Sequence, residues 1–161
     1  MSTILITGGT GMIGTALQKE LSNKGHDIIV LTRYPGKYSN TSRVSYARWD
    51  VKNQQIDTNA ILKADHIIHL AGAGVADKRW TSKRKREIVE SRTLSSALLV
   101  KALSENINHV KTIVSASAIG WYGPAGNFSK AFGESDPAAD DFLGTTCKQW
   151  EASIDPVVSL G

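Results

Sequence analysis

A single cysteine, Cys147, stands among the 161 residues, so no disulfide closes within the chain and no CxxC pair is present for zinc or redox chemistry. Cys147 is expected to be a packed helix residue. The four histidines, His26, His66, His69 and His109, lack metal-ligand spacing, and no metal is expected. No apolar run approaches the roughly 18 residues of a membrane span. The opening MSTILITGG is too short an apolar run, without preceding basic residues, for a secretory signal. A soluble, cytoplasmic protein with no membrane partner is the expectation. With only four prolines and 14 glycines, 41% hydrophobic and 21% charged residues, collagen-like, disordered and coiled-coil classes fall away. The length suits one domain, residues 1–161, with a core of its own.

Acidic charge is scarce in one place. Between Lys78 and Arg92 lie seven basic residues and only Glu87 and Glu90, a local +5 against a net +4 for the whole chain, so the remainder sums to −1. This is a near-neutral protein with one basic segment, and no nucleic-acid partner is expected. Lys83 to Arg86 sit where a helix starts and oppose its macrodipole by about 0.3 to 1 kcal/mol each. They read as a solvated face, with the acidic stretch Glu134 to Asp141 as one candidate for an anionic neighbour.

Short β-branched runs alternate with longer mixed segments, which argues for an α/β fold. The strand candidates are Thr3 to Thr7, Asp27 to Thr32, Val44 to Arg48, His66 to Leu70 and Val110 to Ser115. Runs such as IIVLT and HIIHL lack in/out alternation, as strands of a parallel sheet covered on both faces do. Ile13, Leu17 and Leu21 recur at helical spacing before Gly25. Thr81 to Glu105 reads as a longer helix with Ile88, Leu94, Leu98 and Ala102 inward. The expected architecture is a doubly wound parallel sheet (Rossmann) with strand order 3-2-1-4-5. Its unfinished edge near the fifth strand could pair with a second copy in a homo-oligomer.

Between the first strand and the first helix runs TGGTGMIG, residues 7 to 14. Its glycines satisfy both Gly9-x-Gly11-x-x-Gly14 and Gly8-x-x-Gly11-x-x-Gly14. One glycine permits the tight turn, Gly11 lets backbone approach a pyrophosphate, and Gly14 allows close packing of the helix, whose N-terminal N–H groups face the phosphates. Gly8, Thr10, Gly11, Met12, Ile13 and Gly14 form the expected phosphate cradle of a dinucleotide site. NAD-preferring sites carry an acid at the end of the second strand to hold the ribose 2′-hydroxyl. This chain reads Val30-Leu31-Thr32-Arg33 there, and the next charge is Lys37. Arg33, beside Thr32, can pair with a 2′-phosphate that a carboxylate would repel, which favours NADP(H) over NAD(H).

TGGTGMIG, Trp49-Asp50-Val51, His69-Leu70-Ala71-Gly72 and SASAIGWYG (115–123) resemble the short-chain dehydrogenase/reductase superfamily, in its extended, nucleotide-sugar-epimerase-like branch. AGAGVADKRW, Ser91-Arg92 and FLGTTCKQWE resemble an atypical, uncharacterised subgroup of that branch. The resemblance implies Asp50 and Val51 as adenine contacts, Leu70, Ala71 and Gly72 as cofactor-lining backbone, and Arg79 as a phosphate or ribose contact. It places Ser117 at the superfamily's serine position and Tyr122 nearby, as candidate catalytic residues polarising a substrate carbonyl or hydroxyl; Tyr122 could equally be a stacking residue. Departure from the pattern is countable. The residues four beyond Tyr34, Tyr38, Tyr46 and Tyr122 are Tyr38, Ser42, Asp50 and Gly126, so the Tyr-x-x-x-Lys acid/base pair is absent. Relatives of the branch are two-lobed and about twice as long, so the chain is expected to be the cofactor half of a longer protein, stopping before a C-terminal substrate lobe. Two functions remain open: an NADP-dependent oxidoreductase or epimerase on an unidentified small molecule, or a dinucleotide-sensing or scaffolding protein without turnover.

Overall fold

The structure, a computed structural model, describes residues 1–124 and 131–160. Its elements are β1 (Thr3–Thr7), α1 (Met12–Asn23), β2 (Asp27–Thr32), β3 (Val44–Asp50), β4 (Gln55–Ile56), α2 (Thr58–Lys63), β5 (His66–His69), α3 (Ser82–Glu105), β6 (Thr112–Ser115) and α4 (Phe142–Ile154). Short 3-10 turns follow at Pro35–Lys37, Ile119–Tyr122 and Asp155–Leu160. The sheet order is β4-β3-β2-β1-β5-β6. All pairings are parallel except that of β4, which runs antiparallel to β3 with Trp49 opposite Ile56.

Strand alternation explains why the apolar runs are unbroken. Ile4, Ile6, Ile28 and Val30 point to one face, where Leu17 and Leu21 of α1 cover them. Leu5, Ile29, Leu31 and Ile67 point to the other, into a larger cluster with Ala60 and Ile61 of α2, Leu98, Leu99, Ala102 and Leu103 of α3, and Ile154 of α4. With helices on both faces, each strand position needs an apolar residue. β1 is flanked by β2 and β5, so the chain winds outward in opposite directions from it. The crevice beyond the strands' C-terminal ends at that reversal is where open α/β sheets bind ligands.

The expected order 3-2-1-4-5 is present, with one addition. The two-residue β4 extends the sheet beyond the third strand; a pair of residues has no periodicity from which to read a strand. The third strand runs on to Asp50, the fourth ends at His69 rather than Leu70, and the last begins at Thr112 rather than Val110. Leu94, expected inward, is 41% exposed, and Ile13, which shares the spacing of Leu17 and Leu21, is 60% exposed. Ile13 stands in the first turn of α1, beyond the end of the sheet. The basic helix start is also not simply solvated. Arg84 is buried, and its partners are Asp77 at 3.5 Å and Glu87 at 2.7 Å rather than the stretch from Glu134 to Asp141. Cys147 is buried in α4 as expected. Among the described residues no helix is long and apolar enough to cross a membrane, and no group of three or more His, Cys, Asp or Glu side chains could hold a metal ion.

Candidate functional site

The glycine turn leaves β1 at its C-terminal end and enters α1 with Gly11 as the N-cap, which has no side-chain cap. Its three fingerprint glycines meet different surroundings. Gly8 has φ +66°, and a Cβ there would lie 2.8 Å from the Leu70 carbonyl. A Cβ on Gly14 would come within 2.4 to 2.6 Å of Gly9 and the Gly8 carbonyl, so the helix packs on the turn only because that atom is missing. At Gly11 the added atom would meet only the Gly8 oxygen, at 3.3 Å. The turn is therefore closed at Gly8 and Gly14 and open at Gly11, where the first N–H groups of α1 have no helical partner. Met12 and Ile13 are exposed beside it, 87% and 60%. Gln18 secures the turn from one helical turn further on. Its Nε2 donates to the Gly9 carbonyl at 2.7 Å, and its Oε1 accepts from the Tyr46 hydroxyl at 3.2 Å. Sequence reasoning missed Gln18, because nothing local marks a glutamine nine residues from its acceptor.

At the end of β2, Thr32 is buried and its hydroxyl accepts from the Tyr34 N–H at 3.4 Å. Arg33 is exposed, its guanidinium 6.0 Å from the Tyr34 ring centre. Asp50 ends β3 and is partly occupied. Its carboxylate accepts from the Asn53 N–H at 3.1 Å and the Asn53 amide at 2.9 Å, and the side-chain bond above all holds it below the usual carboxylate range. Val51 is half-buried, with its carbonyl accepting from Gln54 Nε2 at 2.7 Å.

β5 delivers the far wall. Thr7 Oγ1 accepts from the N–H groups of Leu70 at 3.1 Å and Ala71 at 3.2 Å, so its one hydrogen goes to His69 Nδ1 at 2.6 Å. The ring's own proton then resides on Nε2. It is donated toward Ser96 Oγ at 3.2 Å and Ser95 Oγ at 3.4 Å, both of which spend their hydrogens on the Arg92 carbonyl. Burial pushes the His69 pKa down to about 4, so the imidazole is neutral near pH 7. This network joins β1, β5 and α3 and fixes where Leu70, Ala71 and Gly72 emerge beside Gly8. Three side chains of α3 then hold the next residues: Ser91 accepts from the Ala73 N–H at 2.9 Å, Arg92 donates to the Ala73 carbonyl at 3.1 Å, and Arg84 to the Gly74 carbonyl at 2.5 Å. Arg92 lies over the Trp150 ring, 4.9 Å from its centre, and so ties this loop to α4. Arg79 is exposed on the same loop.

Ser117 follows β6 at the same end of the sheet and donates its hydrogen to Glu151 Oε1 on α4. Glu151 is a partner that sequence reasoning missed, 34 residues away. Tyr122 stacks on Phe132, ring centres 4.8 Å apart and nearly parallel at 14°. Burial raises the Cys147 pKa, so its thiol stays protonated and a poor nucleophile.

Comparison with known proteins gives this geometry a lineage. The sequence profile of the NAD dependent epimerase/dehydratase family matches residues 4–142. An epimerase family protein of Staphylococcus haemolyticus is 35% identical over 163 residues, which cover all of this chain and 52% of that protein. The crystal structure of human epimerase family protein SDR39U1 (isoform 2) with NADPH superposes with a TM-score of 0.75 at 26% identity, over 94% of this chain and 48% of that one. The structure of MoeE5 in complex with UDP-glucose and NAD superposes with a TM-score of 0.78 at 25% identity, over 98% and 50%. The chain spans about half the length of the curated relatives it matches. The human structure is described with NADPH and MoeE5 with NAD, so a nicotinamide dinucleotide is the cofactor class these comparisons support. By its fold, its glycine turn and a profile match across most of its length, the chain belongs to the NAD dependent epimerase/dehydratase family.

Proposed function

We propose that this chain is the NADP(H)-binding part of an epimerase/dehydratase-type oxidoreductase acting on a small molecule whose identity is open. The observation that carries this reading is the contrast within the turn: a single atom, the Gly8 oxygen at 3.3 Å, near a Cβ on Gly11, against backbone within 2.8 Å at Gly8 and Gly14. Met12 and Ile13 would present N–H groups to the pyrophosphate, while the Gly11 N–H closes the turn onto the Gly8 carbonyl at 3.0 Å and Gly8, Thr10, Gly11 and Gly14 shape the cradle. Thr32 and Arg33 would face the adenosine ribose, Asp50 and Val51 the adenine edge, and Leu70, Ala71 and Gly72 the opposite wall. Arg79 is the remaining phosphate or ribose contact in this scheme.

When bound, such a dinucleotide supplies a hydride donor or acceptor at nicotinamide C4. What this chain adds at the reacting end is Ser117. Its hydrogen is committed to Glu151, so its oxygen offers lone pairs and is set to accept from a substrate hydroxyl rather than to donate to a carbonyl. A proton taken by Ser117 Oγ could pass on along the same bond to Glu151. A second reading, binding without turnover, has its own support: Tyr122 is engaged with Phe132, and no Tyr-x-x-x-Lys pair is present. Calorimetry with NADPH on the wild type and on Gly11→Val tests the binding claim. The variant should fold and lose binding, and equal affinity would leave the turn purely structural.

A further inference from the structure

Gln54 is the one non-glycine among the described residues with a left-handed backbone, φ +51°. It closes the turn that leads from β3 into β4, its N–H donating to the Val51 carbonyl at 3.4 Å. Hairpin turns give such a position to glycine or asparagine, because the Cβ of other residues crowds the neighbouring carbonyl there. A glutamine keeps this conformation only where its surroundings over-determine it, and such outliers gather at functional sites.

What holds Gln54 is its own side chain. Its Nε2 donates to the Val51 carbonyl at 2.7 Å and to the Leu94 carbonyl of α3, 40 residues away in sequence, at 3.2 Å. A glycine would ease the backbone and lose both bonds. Leu94 belongs to the same turn of α3 as Ser91 and Arg92, which hold Ala73 by its N–H and its carbonyl. One helical turn therefore anchors both walls of the cleft, the segment ending at Ala73 on one side and the turn after β3 on the other. On that second side the Asp50 carboxylate, tied to Asn53, keeps lone pairs with which to accept from a ligand. The Val51 N–H meets no protein acceptor among the described residues. An acceptor beside a donor matches adenine, whose 6-amino donor stands next to a ring-nitrogen acceptor.

We infer that Gln54 is a positioning residue for the adenine end of the site: by bridging Val51 to α3 it holds Asp50 and Val51 at the spacing that selects a 6-amino purine over a 6-oxo purine. This inference rests on the dinucleotide reading above and adds to it the residue that fixes the width of the adenine end.

The test compares NADPH with its hypoxanthine analogue, in which a 6-oxo group replaces the 6-amino group and the adjacent ring nitrogen gains a proton; neither ligand needs turnover. Dissociation constants are measured by calorimetry on the wild type, Gln54→Gly, Gln54→Asn and Gln55→Ala. The wild type should prefer NADPH by roughly tenfold or more. Gln54→Gly suits the left-handed backbone and removes the bridge. It should keep the wild-type circular dichroism, weaken NADPH about five- to tenfold and leave the analogue within twofold. Gln54→Asn, equally at ease in that conformation but one methylene short of the Leu94 carbonyl, should behave the same and carries the comparison should the glycine variant not fold. Gln55→Ala, on the same hairpin, should change neither ligand. Equal weakening of both dinucleotides in the Gln54 variants, unchanged NADPH affinity in them, or a wild type that does not tell the two ligands apart overturns the inference and leaves dinucleotide binding intact. Failure of the wild type to bind either ligand overturns the dinucleotide reading itself, and the inference with it.

Discussion

Replacing His69 by glutamine, or lowering the pH around the wild type, probes the joint on which the site is built. The ring is fully buried, accepts from Thr7 and donates toward Ser95 and Ser96, and among the described residues no carboxylate is bonded to it to offset a positive charge. Its folded pKa of about 4 lies below the ordinary 6.5, so the unfolded chain takes up the proton first. The stabilisation is therefore complete above pH 6.5, declines as pH falls through the interval down to about 4, and is gone below it. A gap of that size corresponds to about 3 kcal/mol. Urea unfolding at pH 8, 6, 5 and 4 reads it directly. Asp50, Asp65 and Glu87, whose carboxyl groups are held below their ordinary range by hydrogen bonds, add their own loss at the acidic end. The diagnostic quantity is thus the difference between wild type and His69→Gln. The variant should be less stable at pH 8, and the difference should shrink by about 3 kcal/mol by pH 4. A difference that stays constant with pH would refute the neutral buried imidazole, as would a ring proton found on Nδ1 in ¹⁵N spectra.

Other outcomes follow from the same geometry. Arg33→Ala should weaken NADPH by roughly ten- to a hundredfold and NADH little, because a charge-assisted hydrogen bond of about 1.5 to 3 kcal/mol is lost only with the 2′-phosphate; equal losses in calorimetry would mean that Arg33 does not read it. Gly14→Ala should destabilise the fold by about 1 to 3 kcal/mol, since its Cβ would overlap the turn backbone at 2.4 Å, whereas Gly11→Ala should cost about 1 kcal/mol or less. Thermal denaturation separates the two. This chain should bind NADPH yet oxidise none of it against a panel of carbonyl compounds, because the Tyr-x-x-x-Lys acid/base is missing. Substrate-dependent oxidation in stopped-flow absorbance that disappears in Ser117→Ala would contradict this.

Local patterns revealed the parallel sheet, because strands covered on both faces must be apolar throughout, and IIVLT and HIIHL show that without any partner in view. They revealed the turn because three glycines between a strand and a helix act within eight residues. What stayed hidden depends on contacts distant along the chain. Thr7 and His69 are 62 residues apart and Ser117 and Glu151 are 34 apart, so nothing beside His69 or Glu151 announces a role. Arg84 looked like one of four cations on a wet helix. It is buried because the 71–81 loop folds back to offer the Gly74 carbonyl and Asp77. Ile13 and Leu94 kept the helical period yet face outward, since period sets a direction and the neighbouring elements decide whether it meets anything.

A crystal of the wild-type chain grown with NADPH tests the central claim most directly. The pyrophosphate should lie over Gly11 against the N–H groups of Met12 and Ile13, with the 2′-phosphate beside Arg33 and the adenine toward Asp50 and Val51. Density for the dinucleotide anywhere else, or a turn left bare at saturating NADPH, would contradict the account.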